Sequence, residues 1–276
     1  METRLVGGVS VHEWGSPDAP GILLWPGMGS AASYFAAVAE ALPGRAVAVD
    51  PPGSGGSPPL SRVTFEALVD AALAVIEDRG CRAIVGHSLG AYVAAGVATR
   101  PPPSLSAAVL IDGGFLDASD RGELGMPVGA GRDALIAWLR ENSPHFPDWD
   151  SAINELAKMV GTPPTPAFEA YVRDVFAEVD GEIRETAPAD STADLLLAAF
   201  RGDPLERARQ LQLPTLLIAC GRPPEARPVK EPAWTAFANA SPLVELHVAE
   251  QWTHNPILQD PDTAGQLIAD WLARYL

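Results

Sequence analysis

The chain has little of several things that commonly declare a function. Only two cysteines, Cys81 and Cys220, occur in 276 residues, too few for a disulfide framework or a zinc centre. Both fall in short apolar runs read as buried strands, where a thiol behaves as a small apolar side chain. The expected compartment is reducing and cytoplasmic. No apolar run approaches the roughly 18 residues needed to cross a bilayer, so no membrane span is expected. The start, Met1-Glu2-Thr3-Arg4, lacks the basic leader and apolar segment of a signal peptide. Basic charge is also scarce, since 19 Lys and Arg face 35 Asp and Glu for a net charge of −16. There is no basic stripe, so a nucleic-acid backbone would be repelled. No histidine–carboxylate cluster has metal-ligand spacing. Gly27-Met28-Gly29 lacks the third glycine of a dinucleotide-binding turn. Gly53-Ser54-Gly55-Gly56-Ser57 is crowded by Pro51, Pro52, Pro58 and Pro59, has no lysine after it and opens no helix, which argues against a phosphate loop. No cofactor and no metal are therefore expected.

What is present is an alternation of short apolar runs with helical periodicity. A 47% hydrophobic content supplies a sizeable core. Leu5 to Trp14 reads as opening edge strands, and buried strands are expected at 21–25, 46–49, 83–85, 107–111, 216–219 and 243–248. Helical character is expected over Ala31 to Leu42, Phe65 to Asp78, Ala91 to Arg100 and Asp262 to Tyr275. That rhythm predicts a mostly parallel sheet covered on both faces. Between Ile111 and Leu216 it breaks. Four helical stretches (134–140, 153–160, 168–179 and 193–200) occur there without a convincing strand, which reads as a helical cap inserted after the sixth strand.

The chemistry centres on Gly86-His87-Ser88-Leu89-Gly90, a G-x-S-x-G pentapeptide between an expected strand and an expected helix. A serine on so sharp a turn is lifted above the sheet, and the glycines keep larger side chains from colliding across it. Its hydroxyl needs a base within hydrogen-bond reach. Of five histidines, His87 should point away from Ser88, His12 and His145 lie in an edge strand and the cap, and His247 sits in an alternating strand. His254 follows the last strand, in a loop that emerges at the same edge of the sheet as the elbow, and is the candidate base.

These residues resemble the nucleophile elbow of the α/β-hydrolase fold superfamily, and the order Ser88 then His254 matches that family's chain order. The likeness runs from about residue 20 to the C-terminus. It implies the α/β class: a mostly parallel central sheet of about eight strands, helices on both faces, and a helical cap. Residues 1–112 and 213–276 would form the core, and 113–212 the cap. It also implies an oxyanion hole from the backbone amides of Leu89 and of Met28, although Pro26-Gly27 stands where the family usually has His-Gly. Asp50-Pro51-Pro52-Gly53-Ser54-Gly55-Gly56-Ser57 resembles a structural turn of the same family. The triad acid departs from the commonest pattern. After the seventh strand the chain reads Cys220-Gly221-Arg222-Pro223-Pro224-Glu225, with proline at the expected aspartate and Glu225 one place late. Some members carry the acid after the sixth strand, where this chain has Asp112. Asp112 is preferred and Glu225 is the alternative. Trp25, Phe115, Trp138 and Trp252 are candidates to line a substrate pocket, and packing is the competing role.

The resulting expectation is a cofactor-independent serine hydrolase acting on a carboxylic ester or lactone through an acyl-enzyme on Ser88. Thioester, amide and carbon–carbon hydrolysis are variants of that mechanism. A serine at the elbow argues against dehalogenases and epoxide hydrolases, whose pattern has aspartate there. The rival is a ligand-binding member of the fold without turnover. The expected partner is a small, uncharged, partly apolar molecule, and a homo-oligomer is left open.

Overall fold

Residues 5–276 are described by a computed structural model; Met1 to Arg4, on which the expected absence of a leader partly rests, lie outside them. The first half runs β1 (Leu5–Val6), β2 (Val9–Trp14), β3 (Gly21–Trp25), β4 (Arg45–Val49), α1 (Phe65–Arg79), β5 (Cys81–His87), α2 (Leu89–Thr99) and β6 (Ala107–Ile111). After a long segment, β10 (Thr215–Cys220), α9 (Arg227–Asn239), β11 (Val244–Ala249), α10 (Pro256–Gln259) and α11 (Pro261–Leu272) complete the chain. That intervening segment holds α3 (Ala118–Glu123), α4 (Arg132–Asn142), β7 (His145–Phe146), α5 (Trp149–Val160), α6 (Pro166–Val175), β8 (Phe176–Val179), β9 (Glu182–Glu185), α7 (Ala189–Ala199) and α8 (Pro204–Arg209). The main sheet has the order β1-β2-β4-β3-β5-β6-β10-β11. Its pairs from β4 onward are parallel, and β2 meets both β1 and β4 antiparallel.

The sheet divides the core by simple alternation. Leu23, Trp25, Val47, Ile84, Leu110 and Leu217 face one layer, which is covered by α1, α2, α7 and α9. Their neighbours Ile22, Leu24, Ala48, Val85, Val109 and Leu216 face the other, which is closed by α11 through Ile268, Trp271 and Leu272. Burial on both faces explains why these strands read as continuous apolar runs. The ends are set locally: Thr64 caps α1 by accepting from Ala67 N (3.1 Å), and Gly80 ends it in the left-handed region (φ 60°).

Two expectations about secondary structure are corrected. Ala31 to Leu42 forms two short 3₁₀ turns, Ala32–Phe35 and Ala39–Ala41, rather than one helix. The Ala31 side chain cannot cap it, and the Ala32 amide bonds to Asp50 instead (2.9 Å). The segment after β6 also contains strands. Helix α6 stops at Val175 and the chain turns back through Asp180-Gly181, both at positive φ, so that β8, β9 and β7 form a small antiparallel sheet. Asp-Gly is a favoured two-residue hairpin turn, which helical periodicity had masked. The segment packs in two ways. Leu135 and Leu139 of α4, Leu196 of α7 and Phe200 just after it join the main core. Residues of α5, α6 and the small sheet, among them Ile153, Phe168, Val172 and Ile183, make a core of their own. Among the described residues no helix is long and apolar enough to cross a membrane.

Candidate active site

The site lies where β3, β5, β6, β10 and β11 end on one edge of the sheet. Ser88 follows β5 at φ 53° and ψ −115°, a conformation that L side chains seldom adopt. Its neighbours leave no room for relaxation. A Cβ on Gly86 would lie 2.1 Å from the Gly90 carbonyl oxygen, and one on Gly90 would lie 2.0 Å from that of Trp25. A Cβ on Gly113 would sit 2.2 Å from the carbonyl oxygen of Ser88 itself. The Ser88 amide donates to Ile111 O (2.9 Å), so the elbow is tied to the end of β6.

The next residue on β6's path is Asp112, also at positive φ (42°) and 2% exposed. Its amide donates to Ile218 O (2.8 Å), and its Oδ1 accepts from Cys220 N (3.0 Å). His254, in the loop between β11 and α10, completes the group. Its Nδ1–H donates to Asp112 Oδ2 (2.6 Å), and its Nε2 accepts from Ser88 Oγ (2.9 Å). Each ring nitrogen thus has one partner, which defines the tautomer. Burial alone would push the Asp112 carboxyl up. The bond and charge of His254, followed by those of Lys230, outweigh it and hold the group well below the usual carboxylate range.

Two contributors escaped the sequence reading. His87 does turn away from Ser88, but not idly. Its buried Nε2–H donates to the His254 carbonyl (2.7 Å), and its ring stacks on Tyr34 (4.6 Å). Burial, then the proximity of His254, pushes His87 down to about 3, so the ring is neutral and keeps its single proton for that bond. Lys230 reaches Asp112 from α9: its Nζ lies 2.8 Å from Oδ1 and 2.9 Å from Oδ2, and donates to Cys220 O (2.8 Å). The signal available for it was rarity, since the chain has only two lysines and this one falls between Pro228 and Pro232.

The turn after β3 packs on the elbow, with a Cβ on Gly27 only 3.0 Å from Ser88 Cβ. Met28 follows that glycine, and Leu89 opens α2 directly after the serine. Glu225 lies exposed on a short 3₁₀ turn, Pro224–Ala226, and is not brought to His254. The pocket expectation is corrected. Trp25, Phe115 and Trp252 are 0%, 2% and 2% exposed and belong to the two core layers, while Trp138 packs half-buried on the main core. An aromatic ring contributes most where it is wholly removed from water. The cavity beside the site, about 320 Å³, is lined instead by Met28 and Gly29 of the turn, by Asn255 next to the histidine, and by Leu156, Phe168 and Val172 of α5 and α6. A smaller one, about 200 Å³, touches Asp112, His254 and Lys230 together with Arg121 and Arg222. Among the described residues no three His, Cys, Asp or Glu side chains are grouped to hold a metal ion.

No curated protein matches the chain by sequence. Solved structures share its fold. E-2-(acetamidomethylene)succinate hydrolase is similar with a TM-score of 0.76 and 22% identity, over 96% of this chain and 95% of that one. An esterase from Exiguobacterium antarcticum gives 0.72 and 17%, over 96% and 95%. The enol-lactonase from Burkholderia xenovorans gives 0.66 and 18%, over 97% and 98%. At these identities the likeness speaks for the fold alone. The family model described as "Alpha/beta hydrolase family" matches residues 22–264; with the elbow and sheet order above, the chain belongs to the α/β-hydrolase family.

Proposed function

We propose that the protein is a cofactor-independent serine hydrolase cleaving a carboxylic ester or lactone through an acyl-enzyme on Ser88. One observation carries the reading: Ser88 Oγ, on a strained elbow, stands 2.9 Å from a histidine nitrogen whose opposite nitrogen is 2.6 Å from a buried carboxylate. In the first step Oγ attacks the carbonyl carbon while its proton passes to His254 Nε2. The tetrahedral oxyanion is taken up by the amides of Met28 and Leu89; losing one such donor typically costs about 10²–10³ in rate. Collapse breaks the carbon–oxygen bond of the ester, and the leaving alkoxide takes the proton from Nε2. Water then attacks the acyl-enzyme, giving its proton to Nε2, and the acid is released as Ser88 recovers the proton. Asp112 holds the imidazole in the required tautomer and offsets its positive charge.

The cavity of about 320 Å³ under α5 and α6, lined mainly by apolar side chains with Glu185 and Asn255 among them, supports a partly apolar acyl group. Thioester, amide or carbon–carbon substrates would use the same groups. A fluorophosphonate probe tests the reading without a known substrate. Labelling should occur on Ser88 and vanish in Ser88→Ala. A folded wild-type chain that stays unlabelled would instead be a ligand-binding member of the family, and the hydrolase reading would fall.

A further inference from the structure

We propose that Lys230 is a positioning residue for this reaction: its ammonium shares Asp112 with His254, and that sharing sets how readily the imidazole takes the proton of Ser88. The inference rests on the hydrolase reading above.

Within α9 the ammonium lies 5.9 Å above the Trp234 ring, and the helix position itself disfavours it. Lys230 lies in the first turn of Arg227–Asn239, the positive end of the helix dipole, where a cation is disfavoured. Its side chain is only 8% exposed, and taking an ammonium out of water costs several kcal/mol unless it is paired. A well-packed apolar side chain would fill the same space more cheaply. What the lysine adds is a charge one carboxylate away from the catalytic ring. The lysine's second bond goes to the Cys220 carbonyl, while the Cys220 amide donates to Asp112, so the ends of β6 and β10 and the start of α9 hold one carboxylate from three sides.

The consequence is electrostatic and has a definite sign. A carboxylate facing the imidazole alone would favour its protonated form strongly. With Lys230 in contact, part of that negative charge is already compensated, so Asp112 holds the imidazolium that forms in the reaction less tightly than a carboxylate facing the ring alone would. Removing the ammonium should move the acid limb of the reaction upward by about 1–2 pH units, taking an effective dielectric of roughly 20. The other ionisable groups around this cluster are accounted for. His87, whose ring centroid is 5.0 Å from that of His254, is held neutral. Burial pushes the Cys220 thiol and the Tyr34 hydroxyl well up, so both are neutral as well. Arg121 and Arg222, which line the small cavity beside the group, are always charged. None of these neighbours changes its charge near neutrality, so a displaced limb reports on Lys230, Asp112 and His254.

The rate of Ser88 labelling by a fluorophosphonate, measured against pH, reads this without a substrate. Lys230→Met keeps most of the stem and removes the charge. Lys230→Gln keeps hydrogen-bond donors without charge, and Lys230→Arg keeps a cation. The acid limb should rise by about one unit or more in the first two and stay within a few tenths of wild type in the third. Folded uncharged variants with an unmoved limb would make Lys230 a structural group and overturn the proposal. Failure of both uncharged variants to fold, with the arginine variant folded, would do the same. Absence of labelling in the wild type would remove the hydrolase reading itself, an outcome distinct from both.

Discussion

Among the described residues serine, histidine and aspartate come together at two places, and only one has the contacts that the proposed proton relay requires. On β2 and the end of β4, which precede β3 and β5 in the sheet order, His12 Nε2 is 2.9 Å from Asp50 Oδ2 and 3.3 Å from Ser10 Oγ. These distances are close to those at Ser88, His254 and Asp112. Asp50 is also as deeply buried as Asp112, at 3% against 2%, and it too follows a strand and accepts backbone amides, those of Ala32 and Gly56 (both 2.9 Å). The difference is which atoms meet. At His12 one nitrogen faces both partners, so the carboxylate takes the N–H that a base would need to leave bare. At His254 the two partners occupy opposite nitrogens. Ser10 also lies inside β2, wholly buried and with ordinary extended geometry, whereas Ser88 is forced outward by positive φ. Proximity of the three residue types is therefore not a triad. The elbow and the placement of histidine in a loop, free to present both nitrogens, make the distinction.

Substitution of the two aspartates should separate the groups most sharply. Asp112→Asn should lower labelling of Ser88, and turnover once a substrate is found, by about 10⁴-fold, because the amide selects the wrong tautomer. It also leaves Lys230 unpaired, at a cost of about 3–5 kcal/mol, so rates must be read well below the melting transition. Glu225→Gln, on the exposed turn, should change neither property. A large loss with Glu225→Gln and none with Asp112→Asn would reverse the assignment of the acid. Asp50→Asn is the mirror experiment. It should lower stability by about 1–3 kcal/mol, through weakened acceptance from Ala32 and Gly56, while labelling stays within about tenfold of wild type. A loss approaching that of Asp112→Asn would mean that the two groups are not functionally distinct.

Sequence alone carried the reading a certain distance, for physical reasons. Gly86 and Gly90 announce the elbow because no side chain fits where their Cβ atoms would lie, so the motif is a steric necessity that leaves a mark in the chain. The central strands announce themselves because they are apolar on both faces. Sequence supports Asp112 over Glu225 only as a preference, because the choice depends on sheet order. Placing β6 beside β10 joins the Asp112 amide to Ile218 O, over a separation no local pattern encodes. The hairpin at Asp180-Gly181 was hidden by a helical pattern that continues from Phe168 into β8. The pocket was misread because an aromatic residue near a motif looks the same whether it lines a cavity or fills a core. Here the rings fill cores, and Met28, Leu156 and Val172 line the cavity. Lys230 was overlooked because a lysine in a helix is ordinarily at the surface, and nothing local says that this one is buried.

The smallest effect concerns pH, and it distinguishes the second histidine from the first. The Asp50 hydrogen bond, working against partial burial, raises His12 above its ordinary value. A histidine raised in the folded state stabilises the fold below its unfolded value near 6.5, and that contribution is lost as pH rises through the folded value. His12→Asn should therefore lower the melting temperature more at pH 5.5 than at pH 8.5. The side chain is 45% exposed, so solvent screening keeps the difference to a fraction of 1 kcal/mol, about 1–2 °C for a chain of this size. Asp112 contributes with the opposite sign. A carboxyl held low stabilises the fold above the unfolded aspartate value, near 3.9, and that stability fades as acid is added toward the lower folded value. In wild type the His12 contribution thus fades as pH rises past its raised folded value, and the Asp112 contribution fades as pH falls below the unfolded aspartate value. An equal loss of melting temperature in His12→Asn at both pH values would show that the His12–Asp50 contact is a neutral hydrogen bond throughout and holds no ion pair.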